Sequence, residues 1–339
     1  MASLCNFILN QGASAPGPLM GSPGNIRACI GDSLTVNGIG SQLADHFDWV
    51  VNTTAQGGNT TSDQSPGCFL FSPANGDIYT QWTGTNDKII GKSNANEQSA
   101  FQSGHLAEML HLGTPEGSNK VRAQSMASTG TWVNNTGVSV DSKGRTSTTN
   151  NSTLSCTVTG TSVAFVGQWN GAQTGQFSIS IDGVSKGTFN ATPPGGTVPS
   201  NVGNNFGPFA LVFSGLSNAS HTVLITVTSA TGASNVVYVD FVAGYIATTN
   251  TSFPIVVVGN THDFTSAGNT AQGTTTAENT TFKGLIASNV TTAQGLGLNV
   301  SMVDVDSLVG NSSFIGPDGV HLTQAGYILV TDAFATAIG

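Results

Sequence analysis

Two short motifs, far apart in the chain, contain the residue types that together activate a serine. The first motif is Gly31-Asp32-Ser33-Leu34, and the second is Asp318-Gly319-Val320-His321. A serine hydroxyl is a poor nucleophile near neutral pH unless an imidazole takes its proton, and a carboxylate must fix the tautomer of that imidazole. Ser33, His321 and Asp318 could supply these three groups. Either motif alone is weakly specific in a chain so rich in Gly and Ser.

Two further segments would bring polar groups to the same place. The sequence predicts strands at 49–52 and 77–83, with a glycine pair soon after the first strand and Asn86 soon after the second. In an open parallel sheet, the loops at the carboxyl ends of the strands converge on the active site. We therefore expect Ser33, Gly58 and Asn86 to lie close together.

These residues resemble the motif blocks of the SGNH, or GDSL-type, hydrolase family. Five residues match the blocks in the family's order: Ser33 in block I, Gly58 in block II, Asn86 in block III, and Asp318 and His321 in block V. Four blocks in the right order are far less probable by chance than any one. The chain departs from the family at 53–55, where members often carry an additional glycine. Either Gly57 or Gly58 could therefore face the substrate.

The resemblance implies acyl transfer from an ester. Ser33 would attack the ester carbonyl, His321 would take the hydroxyl proton and return it to the alcohol, and Asp318 would hold the imidazole. The backbone N–H groups of Ser33 and Gly58 and the side-chain amide of Asn86 would form the oxyanion hole. The alternative is a purely structural role, in which Asp318 caps the segment after it and His321 packs on that segment.

A further histidine is a possible substrate contact. His262 follows the continuous apolar run at 254–258, which predicts a strand buried on both faces. A solvated loop histidine is at least as common as a binding one. No group of residues has the spacing of a metal site, and the sequence implies no metal and no cofactor. The four cysteines are Cys5, Cys29, Cys68 and Cys156, and their disulfide status cannot be assigned from the sequence.

The composition limits the class of partner. Only 8% of the 339 residues are charged and 38% are hydrophobic, which is typical of a chain that can bury a full core. A formal net charge of -9 argues against binding a nucleic acid through bulk electrostatics. No apolar run approaches the ~20 residues of a membrane-spanning helix, and the N-terminal residues do not read as a secretory signal. The chain is expected to be soluble, of unassigned compartment, with an extracellular or virion-associated location and an oligomeric state both possible.

The distribution of apolar and turn-forming residues along the sequence predicts four regions. They are an N-terminal arm at 1–24, a first hydrolase part at 25–120, an inserted β-sandwich at 121–247 and a second hydrolase part at 248–339. The expected fold class is α/β, a three-layer α/β/α sandwich with a parallel sheet, interrupted by an all-β sandwich or jelly-roll domain.

The predicted insert shows its strands clearly. Residues 177–181 and 184–189 alternate between apolar and polar types around Asp182-Gly183, which indicates a hairpin. The topology predicts that the insert is attached far from Ser33, so carbohydrate binding, assembly or spacing is favoured over lining the catalytic pocket. Three aromatic residues could form a sugar-stacking platform, although core packing is their commoner fate. They are Trp132, Trp169 and Tyr238.

These observations predict a serine esterase that acts on short acyl esters. An acylated carbohydrate, with O-acetyl groups, is the expected partner, and a small ester is the simpler possibility; the carbohydrate preference rests on analogy. Two alternatives stay open. One is a lipase-like esterase for longer acyl chains, and the other is a phage-tail or adhesion binding module built on a hydrolase scaffold.

Overall fold

The structure is a computed structural model that describes residues 27–117, 119–134, 143–170, 175–192, 206–229, 236–310 and 312–339. The predicted N-terminal arm at 1–24 and Cys5 lie outside these residues. The described chain contains two β-sheets, and helices cover both faces of the smaller one.

The smaller sheet is parallel, with the strand order β14-β13-β3-β1-β2. Its strands are β1 Arg27–Gly31, β2 Asn52–Ala55, β3 Ile78–Trp82, β13 Ile255–Gly259 and β14 Val300–Val303. Alternate residues of β13 enter two different cores: Val257 packs on one face of the sheet, and Val256 and Val258 pack on the other. Burial on both faces is the reason for the continuous apolar run in this strand.

Eight α-helices occur in the described residues. They are α1 Gly40–Phe47, α2 Thr61–Phe69, α3 Thr85–Gly91, α4 Ala95–Gly113, α5 Ser266–Gln272, α6 Thr276–Gly295, α7 Val305–Val309 and α8 Gln324–Ile338. A π-helical turn, Thr35–Ile39, precedes α1. Leu43 of α1 and Phe334 of α8 share a core on one face of the parallel sheet, while Met109 of α4 and Phe282 of α6 belong to the core on the other. Among these helices, none has the length and hydrophobicity needed to cross a bilayer.

The larger sheet has nine antiparallel strands in the described residues. The main path runs β10-β9-β11-β8-β12-β7-β6, and β4 pairs with β12 and β5 with β8. The strands are β4 Lys120–Arg122, β5 Ala127–Thr129, β6 Val133–Asn134, β7 Arg145–Ser147, β8 Thr153–Asn170, β9 Gln176–Ile181, β10 Val184–Asn190, β11 Phe206–Ser229 and β12 Val237–Tyr245. The hairpin predicted around Asp182-Gly183 is present, and both turn residues have a positive φ, of 53° and 77°.

The predicted fold class is wrong. The sequence predicts an α/β/α sandwich that a separate all-β domain interrupts, whereas the jelly-roll-like antiparallel sheet is the larger of the two sheets and shares a core with the helices. Val166 of β8 and Phe241 of β12 pack in the same core as Met109 of α4 and Val256 of β13. The alternating pattern at 121–246 predicts strands correctly, but alternation does not reveal which other element covers a sheet face. The predicted domain boundaries stay predictions.

The antiparallel sheet lies against the helices that follow β2 and β3. Strand β11 contacts α2 and α4, and Ser103 Oγ of α4 lies 3.1 Å from the backbone N of Ala210, which donates to it. The larger sheet is therefore attached to the parallel-sheet region through helix packing as well as through the chain.

One predicted strand is displaced along the sequence. The sequence predicts a strand at 49–52, but β2 begins at Asn52. Trp49 stacks on Phe47 at the end of α1, with ring centroids 4.1 Å apart, and Val50 is 83% exposed. The apolar residues before Asn52 thus cover a helix end or face solvent. The spacing of apolar residues over 96–112, before Gly113 and Pro115, also predicts a helix, and this helix is present as α4.

Candidate active site

Ser33 lies in the tight turn that connects β1 to the helix after it. The Asp32 carbonyl accepts the backbone N–H groups of Thr35 and Val36, both at 3.1 Å, and Asp32 Oδ1 accepts the N–H of Leu34 at 2.9 Å. Because Asp32 is buried, its pKa is raised to about 6, although the Leu34 hydrogen bond lowers it. Asp32 therefore fixes the turn, and Ser33 is left half-buried at the carboxyl end of β1.

Glycine is required at the end of β1. A Cβ atom at Gly31 would lie 1.8 Å from Thr35 Oγ1 and 2.6 Å from the carbonyl oxygen of Trp82. No side chain fits at those distances, so Gly31 allows β1 to run alongside β3 directly before the turn. The Gly-Asp-Ser order thus has a packing reason independent of any chemistry.

A second turn, Asp318–His321, carries the candidate imidazole and its carboxylate. Asp318 Oδ1 accepts the backbone N–H groups of Val320 and His321, each at 3.0 Å. Gly319 has a φ of 75°, and a Cβ there would lie 2.4 Å from Thr265 Oγ1, so only glycine suits this position. The turn is closed by a hydrogen bond from the Gly316 N–H to the His321 carbonyl, 2.6 Å long.

The structure brings Ser33, His321 and Asp318 into one hydrogen-bonded line. His321 Nε2 lies 2.9 Å from Ser33 Oγ, and His321 Nδ1 lies 2.5 Å from Asp318 Oδ2. Burial raises the pKa of Asp318, but hydrogen bonds from the His321 ring and from two backbone N–H groups outweigh it and hold the pKa below its usual value. An ionised Asp318 accepts a hydrogen bond from the Nδ1–H group of His321, which leaves the Nε2 lone pair free to accept the Ser33 hydroxyl proton.

The line is open to solvent on one side. The side chains of His321 and Asp318 are 38% and 51% exposed. A substrate therefore has a route to Ser33 and His321. The exposure also means that the Asp318–His321 hydrogen bond depends on the turn geometry more than on a dry environment.

Two of the predicted oxyanion-hole residues lie on neighbouring segments, Gly58 in the loop after β2 and Asn86 in the first turn of α3. Asn86 Nδ2 donates to the Asn59 carbonyl at 2.9 Å, so the amide is oriented and keeps a second N–H. A methyl group at Gly57 would lie 3.6 Å from Ser33 Cβ, whereas one at Gly58 would meet nothing within 4 Å. Gly57 is thus the glycine against the Ser33 side chain, and Gly58 is exposed beside it.

The aspartate after Asn86 joins α3 to the segment between β2 and α2. Asp87 Oδ2 accepts the backbone N–H of Thr61 at 2.9 Å and its hydroxyl at 3.0 Å, at the beginning of α2. Burial raises the pKa of Asp87 to about 7, while the hydrogen bonds from Thr61 lower it. Asn86 and Asp87 together hold the loop at 59–61 in place.

His262 is not exposed to a ligand in this structure. Its side chain is 0% exposed, and its Nε2 lies 2.8 Å from the carbonyl oxygen of Val320. Burial, with the nearby Lys88 charge, lowers the pKa of His262 to about 4. The predicted substrate contact has no geometric support, since His262 lies beneath the Asp318–His321 turn.

Sequence reasoning missed two other residues near this turn. Lys88 in α3 is 0% exposed, and its Nζ donates to the His262 carbonyl at 2.7 Å. The Thr265 backbone N–H donates to the Gly319 carbonyl at 3.1 Å. A lysine so close after Asn86 was a signal that could have been used, but nothing in the sequence reveals that it is buried.

The aromatic residues considered for sugar stacking are mostly in the core. Trp169 is fully buried and packs with Phe165 and Phe177 in the second core of the antiparallel sheet, and Trp132 packs against the edge of that core. Tyr238 is buried as well. Core packing is thus the observed fate of these rings.

Within the described residues, neither a group of metal-binding side chains nor a reactive thiol indicates a second site. No three His, Cys, Asp or Glu side chains of that part of the chain are grouped as metal ligands would be. Cys29, Cys68 and Cys156 are free thiols, and burial raises the pKa of Cys29 to about 11.

Comparisons with known proteins do not identify the chain. No family model matches it, and no curated protein matches it. Among solved structures, it is similar to the carbohydrate-binding module CBM36 in complex with calcium and xylotriose, at 21% identity, with 36% of this chain and 96% of that chain covered and a TM-score of 0.27. It is also similar to a CBM36-1 domain of a xylanase from the hindgut metagenome of Trinervitermes trinervoides, at 18% identity, with 36% and 92% covered and a TM-score of 0.27.

A third similar structure is an enzyme. It is a family two carbohydrate esterase from Cellvibrio japonicus, at 14% identity, with 42% of this chain and 38% of that chain covered and a TM-score of 0.29. All three structures are of carbohydrate-binding or carbohydrate-acting proteins.

Proposed function

We propose that this protein is a serine esterase of SGNH type that removes short acyl groups, with O-acetyl esters of a carbohydrate as the substrate class. One observation carries the proposal: the His321 ring bridges Ser33 Oγ, at 2.9 Å, and the Asp318 carboxylate, at 2.5 Å. A structural histidine has no need of a half-buried serine hydroxyl on one nitrogen and a carboxylate on the other.

The geometry supports a two-step acyl transfer. Ser33 Oγ bonds to the ester carbonyl carbon while its proton passes to His321 Nε2, and the same proton then leaves on the alcohol. A water molecule next gives a proton to Nε2 and attacks the acyl-serine, which releases the carboxylic acid and regenerates Ser33. Asp318 stays ionised throughout and stabilises the imidazolium that forms in each step.

The Ser33 turn, the loop after β2 and the first turn of α3 would supply the donors that the tetrahedral oxyanion needs. We assign this role to the backbone N–H groups of Ser33 and Gly58, the latter on the family resemblance alone, and to the second N–H of Asn86, whose amide is oriented by the Asn59 carbonyl. A neutral amide suits this role because it stabilises the developing charge without an ion pair in the resting enzyme. Loss of one such donor typically costs about 3 kcal/mol of transition-state stabilisation.

A cleft lies beside the loop that follows β13, and this loop contacts the Asp318–His321 turn. The cleft has a volume of about 500 Å³ and is lined by Asp263, Phe264, Thr265, Ser266, Ala267, Gly310 and Ile315. Neither Ser33 nor His321 lines this cleft, so the proposed preference for short acyl groups rests on the family resemblance alone.

Hydrolysis of p-nitrophenyl acetate tests the proposal. We expect turnover by the wild type and a loss of about 10⁴-fold or more in kcat for Ser33→Ala, as for other serine triads. Ser99→Ala is the matched control, since Ser99 is a half-buried serine like Ser33 and its hydroxyl donates to the Ala95 carbonyl of its own helix. Equal turnover by wild type and Ser33→Ala would exclude Ser33 as the nucleophile. Acetate release from a panel of acetylated polysaccharides then tests the carbohydrate preference.

A carbohydrate-binding module on a hydrolase scaffold is the second candidate function. The antiparallel sheet favours it, because neighbouring strands place Thr222 opposite Thr157 and Thr226 opposite Ser178, with these four side chains exposed or half-exposed. An uncharged face of hydroxyl groups can hydrogen-bond to sugars, although it lacks the aromatic platform that sugar rings prefer.

Binding and turnover separate the two candidates. Retention of the Ser33→Ala protein on an insoluble polysaccharide, with no ester turnover by the wild type, would favour the module. Ester turnover by the wild type without polysaccharide retention would favour the esterase acting on small or soluble substrates.

A further inference from the structure

Two consecutive carbonyl groups of the Asp318–His321 turn accept hydrogen bonds from a neighbouring loop. The Gly319 carbonyl accepts the Thr265 backbone N–H at 3.1 Å, and the Val320 carbonyl accepts a hydrogen bond from His262 Nε2 at 2.8 Å. Both donors belong to the loop that follows β13. The backbone on the N-terminal side of His321 is thus attached to the parallel sheet by one main-chain and one side-chain hydrogen bond.

The His262 ring is suited to a permanent contact. A carbonyl oxygen can only accept, so the His262 proton lies on Nε2 and the ring is the neutral Nε2–H tautomer. Burial lowers the pKa of His262 to about 4, so the ring keeps this form at the neutral pH at which a serine triad works. The contact between His262 and Val320 therefore does not switch when His321 gains or loses a proton.

Lys88 supports the loop from the other side. Its Nζ donates to the His262 carbonyl at 2.7 Å and to Asn279 Oδ1 at 3.1 Å, and it lies 3.6 Å from the centre of the Phe264 ring. These contacts join α3, α6 and the loop after β13. Burying a lysine side chain costs free energy when no carboxylate lies at hydrogen-bond distance. The two hydrogen bonds and the ring contact of Lys88 Nζ offset part of this cost.

We propose that His262 is a positioning residue for the candidate catalytic turn, which holds His321 Nε2 on Ser33 through its hydrogen bond to the Val320 carbonyl. Thr265 supplies the second attachment point, and Lys88 fixes the loop that carries both donors. This inference rests on the proposed function for its kinetic consequence, but its geometric consequence is independent of turnover.

Small displacements of the turn have large effects on rate. The Ser33–His321 contact joins two segments 288 positions apart, so only tertiary contacts keep the two atoms at 2.9 Å. A displacement of about 1 Å in a reacting group can cost about 10²-fold in rate. Because substrate does not contact His262, its loss is expected to lower kcat and leave KM nearly unchanged.

Two matched pairs of variants test the proposal. The Gln amide nitrogen reaches the position of His Nε2, whereas the Asn amide nitrogen does not, so His262→Gln keeps the donor and His262→Asn loses it. Thr265 has a φ of −61°, which proline accepts, so Thr265→Pro removes the N–H, while Thr265→Ala removes only the side-chain cap on Gly268. His105→Asn is the control for loss of a buried histidine away from the turn, because His105 contacts Asn289 instead.

Two readouts are measured on each folded variant. The first is kcat and KM for p-nitrophenyl acetate, and the second is the low-field proton resonance of His321 Nδ1–H, which reports the hydrogen bond to Asp318 without any turnover. We expect His262→Asn and Thr265→Pro to lower kcat by about 10- to 100-fold and to shift or broaden the resonance. His262→Gln, Thr265→Ala and His105→Asn are expected to keep kcat within about threefold and the resonance in place.

The outcomes separate the two proposals. A wild type without esterase activity, whose His321 resonance is nonetheless lost in His262→Asn, would refute the esterase and support the positioning role. An unchanged resonance and kcat in both His262→Asn and Thr265→Pro would refute the positioning role while the esterase stands. Equal losses in His105→Asn and His262→Asn would also refute it, because they would indicate general destabilisation. If His262→Asn does not fold, the comparison of Thr265→Pro with Thr265→Ala decides.

Discussion

Replacing the buried Glu108 with glutamine is expected to stabilise the protein, and increasingly so as the pH rises. Glu108 lies in α4, is 0% exposed, and contacts Ser65 Oγ at 2.8 Å and Gln81 Nε2 at 2.6 Å. Ser65 Oγ also donates to the Thr61 carbonyl at 3.0 Å. A hydroxyl that donates to a carbonyl has lone pairs left to accept, so a protonated Glu108 can donate to Ser65 Oγ while its other oxygen accepts from Gln81 Nε2.

The magnitude follows from the pKa of Glu108. Burial raises it from 4.5 to about 8, against the hydrogen bonds from Ser65 and Gln81, which lower it. A carboxyl group with a raised pKa in the folded state binds its proton more tightly there, so folding is favoured below pH 4.5 and weakened as the pH rises towards 8. Each pH unit in this window costs about 1.4 kcal/mol, which amounts to roughly 3 kcal/mol by pH 7.

Glutamine keeps the hydrogen bonds and removes the titration. Its amide group would donate to Ser65 Oγ and accept from Gln81 Nε2. We therefore expect Glu108→Gln to raise the free energy of unfolding by about 3 kcal/mol at pH 7 and by little at pH 5. Asp45→Asn is the control, since Asp45 is exposed and should change the pH dependence little.

Urea unfolding at several pH values between 5 and 8 measures this difference. A stability gain that grows with pH for Glu108→Gln, and not for Asp45→Asn, is the expected result. A glutamine variant that is less stable than the wild type at pH 8, or a gain independent of pH, would show that Glu108 is ionised in the folded protein.

Three further predictions concern stability. Phe282→Ala should cost about 3–5 kcal/mol in urea unfolding, because Phe282 is fully buried in the core between the two sheets. The hydrogen bond to Asp182 raises the pKa of His221. The stability from this pair should therefore be full below the ordinary histidine pKa and lost as the pH rises through the raised pKa. Asp182→Asn should reduce the pH dependence of the thermal unfolding midpoint between about pH 5.5 and 8.5. Thr275→Ala removes the capping box of α6 and should lower the free energy of unfolding in urea by about 1 kcal/mol, with Thr280→Ala as a mid-helix control.

Local patterns predicted the elements better than their packing. The apolar run of β13 and the Asp182-Gly183 turn are determined by neighbours in the sequence, so both could be predicted. The fold class could not, because a strand's alternation is the same whether its inner face covers helix α4 or another sheet. Trp49 shows the same limit: its apolar character suggested a strand, but its ring stacks on Phe47.

The candidate site was also only partly predictable. Motif order indicated Ser33, Asp318 and His321, and the three side chains do lie within hydrogen-bond distance, although their catalytic role stays a prediction. The position of His262 after a strand predicts a substrate contact or a solvated loop histidine, but its side chain is buried and lies 2.8 Å from the carbonyl of Val320, 58 positions away. Burial of a polar side chain is a property of the assembled tertiary structure, and no local pattern encodes it.

The pairing of β3 with β13 has a consequence for the order of folding. Ile78 pairs with Ile255, so the parallel sheet can be completed only after the whole antiparallel sheet has been synthesised. Closing so long a loop costs chain entropy, and contacts of high sequence separation slow folding. Pairing of the antiparallel strands shortens this loop in advance. We therefore expect the two halves of the Ser33–His321 contact to meet late in refolding, well after most of the β-structure has formed.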